Sequence, residues 1–268
     1  MRLSPLTRIS LRTVALGYLF LLLVLPLGII FWRTFENGVG SFIDWISTPA
    51  AISAFNLSMT IVAIVVPVNV VFGVIVAIAL VRGRFPGRGL LQGLVDLPFA
   101  VSPVVVGVSL ILLWGAGGWF GGIEDHGLKV IFNLPGMVLA TIFVTLPYVV
   151  REVEPVLHEI GDDQEQAAAT LGASGWQTFW RITLPAIRWG LTYGVVLTVA
   201  RSLGEFGAVI MVSSALPGKS QTLTLLVNAR YNDHNTFGAY AAATLLMGLA
   251  IIVLLFMTLL ERKRDSAK

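Results

Sequence analysis

Arg201 and Glu205 stand four residues apart in Trp189–Ser213, a run that carries no other charge. A helix places such a pair on one face. A lone charge deep in an apolar span costs roughly 2.5–3.5 kcal/mol on insertion scales, so the pair needs an explanation. Three stay open: an internal ion pair that fixes helix packing, a cation lining a path for a divalent oxyanion with the glutamate holding it, or contact with another subunit. A second group, Asp96, Pro98, Ser102 and Pro103, opens the apolar run ending at Trp114. A proline-broken helix can aim backbone N–H groups at an anion or form a narrow gate. A turn at a membrane surface explains the prolines equally well. Pro217-Gly218-Lys219-Ser220 has the ending of a phosphate-binding loop, but the full pattern needs glycine at 213, where the chain has Ser213. Nucleotide chemistry therefore has to come from another polypeptide. No catalytic nucleophile–base group is visible. His126, His158 and His234 fall in expected loops without metal-ligand spacing, so neither a catalytic nor a metal site is expected.

The elements that must position these residues are oily. Of 268 residues 56% are hydrophobic and only 12% charged, and the mean hydropathy is +0.84, which places the chain among integral membrane proteins. Its basic residues border hydrophobic segments, the pattern of membrane topology, so nucleic acid is excluded as a partner. The absence of cysteine removes disulfides and thiolate metal sites. Six runs are long enough to span: Thr13–Trp32, Leu57–Val81, Leu97–Trp114, Leu134–Val150, Trp189–Ser213 and Phe237–Leu260. The expectation is an all-α integral membrane fold with six transmembrane helices. With the amino terminus in the cytosol, thirteen Lys and Arg residues fall in inner segments and four in outer ones, so both termini are expected to be cytosolic. The division is a tail at 1–12, a transmembrane domain at 13–260 with an inner loop at 151–188, and a tail at 261–268.

That loop is too ordered for a linker. Asp162 and Asp163 can each cap a helix, with Glu165 or Gln166 three residues later completing a capping box. Ala167, Ala168 and Ala169 are strong helix formers, and Gly172 suits a left-handed stop. Ser174 and Gln177 form a second box, and Pro185 permits a bend into the fifth span. A short helix, a glycine turn and a second helix that runs into the membrane make a docking element for a cytosolic partner. Its small alanines let another surface approach closely. Gly204, Gly207 and Ala208 likewise permit close helix contact.

The loop resembles the EAA motif of ABC-importer permeases: an EAA triplet, a glycine, then I-x-L-P. Those positions are Gln166-Ala167-Ala168, Gly172, Ile182, Leu184 and Pro185, with nine residues between Gly172 and Ile182. The family glutamate is replaced by Gln166, with Glu165 beside it. "DLPFAVSPVVVGVSL" at 96–110, "ARSLGEFGAVIMVSS" at 200–214 and "LPGKSQTLTLLV" at 216–227 look like the sulfate and molybdate branch. The stretch running through the loop to Pro185 looks most like CysW-type sulfate/thiosulfate permease subunits.

The resemblance implies a type I importer permease (MetI-like) architecture in the cell membrane and a non-catalytic subunit of a sulfate/thiosulfate importer. It also implies a second, related permease subunit, two copies of an ATPase subunit that uses ATP and Mg, and an extracytoplasmic sulfate-binding protein. This chain itself would need no cofactor. The loop would be the coupling helix, seated in a groove of the ATPase through Glu165, Gln166, Ala167, Ala168, Gly172, Ile182, Leu184 and Pro185. A molybdate or tungstate permease is the nearest alternative. An ion-coupled secondary anion transporter would favour more titratable groups in the spans and an internal repeat.

Overall fold

The computed structural model describes residues 5–127 and 129–265. The far ends of the two expected tails, 1–4 and 266–268, lie outside the described residues. Among the described residues all regular structure is helical. Five helices are long and apolar enough to cross a membrane: α1 (Ser10–Phe35), α3 (Pro49–Arg82), α6 (Leu134–Ile160), α8 (Gly175–Leu203) and Thr236–Leu259 within α11 (Thr236–Asp265). A short α2 (Gly38–Ile46) links the first two. The sixth expected span, Leu97–Trp114, is not one rod. It consists of α4 (Arg88–Ala100) and α5 (Pro103–Trp114), bent by 113°. The cause is local. Pro103 bars Ser102 from helical backbone, and Val101 and Ser102 adopt ψ near 134° instead.

The fifth expected span is interrupted as well. Helix α8 ends at Leu203, and after Gly204–Phe206 the chain resumes as the short α9 (Gly207–Val212). A loop then leads to α10 (Leu223–Asn232), which packs on α11. Pro185 does not interrupt the helix. A π-helical turn at Phe179–Thr183 precedes it, in which Leu184 N–H donates to Phe179 O, and the helix runs on without a break. The wider turn absorbs the hydrogen bond that proline cannot make. Pro26 in α1 follows a π turn at Phe20–Val24 in the same way.

Helix α6 is the centre of the bundle and packs on both α3 and α8. Lipid offers little hydrophobic drive for helices to associate, so close van der Waals contact has to hold them. Glycines supply it: a Cβ on Gly73 would sit 2.7 Å from Val149 Cβ, and one on Gly194 would sit 2.9 Å from Val149 Cα. Buried polar ties add to the contact. Asn69 Nδ2 donates to Thr145 Oγ1 at 2.6 Å, and the Thr34 and Thr244 hydroxyls lie 2.7 Å apart, joining α1 to α11. At 34 residues α3 is about 51 Å long, well beyond the roughly 30 Å of a hydrocarbon core. A helix this long tilts or extends beyond the apolar slab. Residues 151–160, expected in the loop with His158, are the last turns of α6.

Candidate functional site: the 163–185 loop and the break at 204–206

Helix α7 (Asp163–Thr170) follows α6 after Gly161 and Asp162 alone. Its end has the geometry the glycine implied. Gly172 sits at φ +83°, its N–H donates to Ala169 O at 3.0 Å, and Ala173 N–H donates to Ala168 O at 3.0 Å. This paired closure is a Schellman motif, and it satisfies carbonyls that a helix end leaves open. Ser174 and Gln177 form the second capping box as expected. The first box does not form. Asp162, at φ −114° and ψ 4° rather than in the extended region typical of an N-cap, makes no side-chain cap bond, and Glu165 turns inward. Glu165 Oε2 accepts from Arg82 Nε at 2.9 Å, and Oε1 accepts from Thr183 Oγ1 at 2.8 Å.

The remaining motif positions divide by exposure. Gln166, Ala167, Gly172 and Pro185 are exposed, whereas Ala168, Ile182 and Leu184 are partly covered. Leu171 is 88% exposed and Trp176 70%, an unusual apolar display on a loop this polar. The hairpin thus has an inner side wired to the bundle and an outer side of small and apolar groups.

Arg201 and Glu205 come together across the end of α8, not inside a continuous helix. Their ion pair measures 2.9 Å, with Glu205 only 2% exposed. The other carboxylate oxygen of Glu205 accepts from Ala208 N–H at 2.8 Å and so holds the start of α9. The backbone oxygen of Glu205 accepts from Thr224 Oγ1 at 2.8 Å, tying the break to α10. Ser58, Thr141, Ser202, Thr222, Thr224 and Glu205 line a narrow cleft of about 10 Å³, room for about one water molecule. Ser58 and Thr141 lie within the first ten residues of α3 and α6, so this cleft sits toward the end of the bundle opposite α7. The hydroxyls of Ser58 and Thr224 were not legible as site residues, because isolated Ser and Thr in apolar runs carry no spacing signal.

The other proline break lies beside this one. A Cβ on Gly207 would meet Pro103 Cβ at 3.1 Å, and one on Gly107 would meet Met211 Cβ at 2.6 Å. Helices α5 and α9 therefore start side by side, each just after an interruption, which brings Ser102 and Pro103 to Gly207. Pro98 remains inside α4. Asp96 is engaged elsewhere, in an ion pair with Arg151, whose Nε donates to Asp96 Oδ1 at 2.9 Å. Arg151 also pairs with Glu154 at 3.2 Å. The Pro217–Ser220 segment closes on itself: Lys219 and Ser220 N–H both donate to Leu216 O at 3.1 Å, so those amides are not free to cradle a phosphate.

Comparison with known proteins agrees with this architecture. The chain superposes on a chain of a bacterial alginate ABC transporter, solved in complex with an alginate-bound periplasmic protein. The TM-score is 0.75 at 18% identity, over 96% of this chain and 94% of that one, a likeness of fold alone. The sulfate transport system permease protein CysW of Synechocystis sp. is 48% identical over 95% of this chain and 92% of its own length. The permease protein CysT of the same organism is 34% identical over 93% and 87%. Residues 69–266 match the family described as the inner membrane component of binding-protein-dependent transport systems. With more than half of its length matched and a broken-helix bundle of the same fold, this chain belongs to that family of multi-pass ABC-importer permeases.

Proposed function

We propose that this chain is the CysW-type permease subunit of an ATP-driven sulfate/thiosulfate importer, forming half of the path and coupling it to a separate ATPase. The observation that carries the reading is the ordered 163–185 hairpin. An eight-residue helix with a Schellman stop is wired on one side to the bundle and exposes a small-residue and apolar face on the other. A stiff lever with a free face suits a groove on a partner subunit. The names of the relatives supply the cargo. That CysW- and CysT-named relatives occur in one organism supports a pair of related, unlike permease subunits. The excess of basic residues at the α7 end supports placing that end, and both termini, in the cytosol. The extracytoplasmic binding protein would then deliver its anion at the opposite end.

There the paired breaks form the gate. The narrow cleft is the closed state of that gate; when it opens, its hydroxyls solvate an oxyanion and Arg201, next in sequence to the lining residue Ser202 and with a side chain 31% exposed, offsets the charge while Glu205 fixes its position. ATP and Mg belong to the ATPase partner. Purified with its ATPase and sulfate-binding protein in proteoliposomes, the complex should hydrolyse ATP faster with sulfate than with molybdate, by about tenfold or more, the ratio that 1.4 kcal/mol of selectivity gives. Equal stimulation by molybdate would reassign the cargo. A complex that pumps without any ATPase subunit would end the reading.

A further inference from the structure

Arg82 was legible only as a basic residue at a span end, yet its side chain makes three hydrogen bonds in the α7 region. It is the last residue of α3. Its Nε reaches Glu165 on α7 at 2.9 Å, one terminal nitrogen donates to Leu157 O at 3.2 Å, and the other donates to Gly161 O. Leu157 and Gly161 close α6, so the guanidinium fills carbonyls left open at the helix end and complements the negative end of its dipole. On the other flank Glu165, in the first turn of α7, faces the positive end of its own helix. Its second oxygen holds Thr183, which is 6% exposed and lies in the π turn inside α8. The two charged side chains are 21% and 23% exposed, sheltered enough to resist screening.

We propose that Arg82 and Glu165 are positioning residues that form a joint. It binds α7 at once to the ends of α3 and α6 and to the π turn of α8, so that a push on α7 moves three membrane helices together. The inference rests on the proposed coupling role and adds the route by which the push is distributed. Without the joint α7 stays attached through the chain at 161–162 and at 171–175. Those links contain Gly161 at φ +70° and Gly172 at φ +83°, two turns that can yield. The ATPase would still dock and still hydrolyse ATP, but its stroke would be spent in turning α7. A planar fork is needed to serve three acceptors, and lysine cannot replace it.

The test uses the complete importer in proteoliposomes and reads ATP hydrolysed per labelled sulfate taken up. In Glu165→Ala and Arg82→Gln the ATPase subunit should co-purify as in wild type. ATP per sulfate should rise at least about fivefold, the low end of allosteric couplings. Glu165→Gln keeps one acceptor oxygen for Arg82, while its amide N–H can donate to the Thr183 hydroxyl; with the charge lost, it should fall between these variants and wild type. If Arg82→Gln fails to assemble, Thr183→Val removes only the α8 leg at constant shape, and the ratio should still rise. An unchanged ratio in Glu165→Ala and Thr183→Val overturns the joint. A loss of assembled complex that accounts for all the lost transport, at constant ratio, overturns it too. A wild-type complex that moves no sulfate instead overturns the function reading on which the joint rests.

Discussion

Gly172→Trp should abolish ATP-driven uptake while leaving the protein inserted and full-length in the membrane. Gly172 lies at φ +83° in an exposed turn, with open space where a side chain would begin. A left-handed backbone costs a non-glycine residue roughly 1–2 kcal/mol, a local strain at a solvent-facing hairpin that the spans do not feel. The indole would project beside Leu171 and Ala173 on the exposed side of the hairpin and hold a partner's surface away. Each 1.4 kcal/mol lost from a docking contact is tenfold, so uptake should fall by more than about tenfold. Gly172→Asn is the control. Asparagine tolerates the left-handed region and is small, so most uptake should survive. Initial rates of labelled sulfate uptake, normalised to the amount of protein in the membrane, measure both. Normal uptake by the tryptophan variant would remove the hairpin from the docking role.

Arg201→Gln should also lower uptake by more than about tenfold, for two separable reasons. It strands Glu205, whose carboxylate is 2% exposed and loses its 2.9 Å partner. Breaking a buried pair costs up to about 3–5 kcal/mol, and less here because the arginine side is a third exposed. It also removes the positive charge from the proposed path. The double variant Arg201→Gln/Glu205→Gln discriminates between them, since a neutral glutamine at 205 can still accept from Ala208 N–H. The double variant should recover its thermal stability in detergent but not its uptake. Recovery of both would reduce Arg201 to a packing residue.

Much of the bundle was legible because its cause is composition. Long apolar runs located the first and last spans to within a turn, whereas α3 begins at Pro49 rather than Leu57 and α6 runs on to Ile160 past Val150, because helices continue beyond their apolar stretch. Gly172 and the Ser174–Gln177 box were legible because caps are local chemistry. The misreadings share a different cause. Leu97–Trp114 and Trp189–Ser213 read as continuous because hydropathy is blind to direction, and nothing in apolarity marks where an oily helix turns. Pro103 did mark one break, yet Pro185 marked none, since a π turn absorbed the missing donor. Glu165 was expected to cap its own helix, but it is held by Arg82, 83 residues away in sequence. Asp96 was grouped with the prolines beside it, whereas its partner Arg151 comes from another helix. Short-range rules see caps, and only the assembled fold shows which charges meet.

The central claim is that α7 receives its push from a cytosolic ATPase. The sequence has no cysteine, so Gln166→Cys puts a single thiol on an exposed position of that helix. In membranes containing the whole importer, a bifunctional maleimide should cross-link this thiol to the ATPase subunit. A membrane-impermeant maleimide should reach it in inverted vesicles and not in right-side-out ones. Labelling from outside, or no cross-link to the ATPase in a complex that transports, would contradict the account.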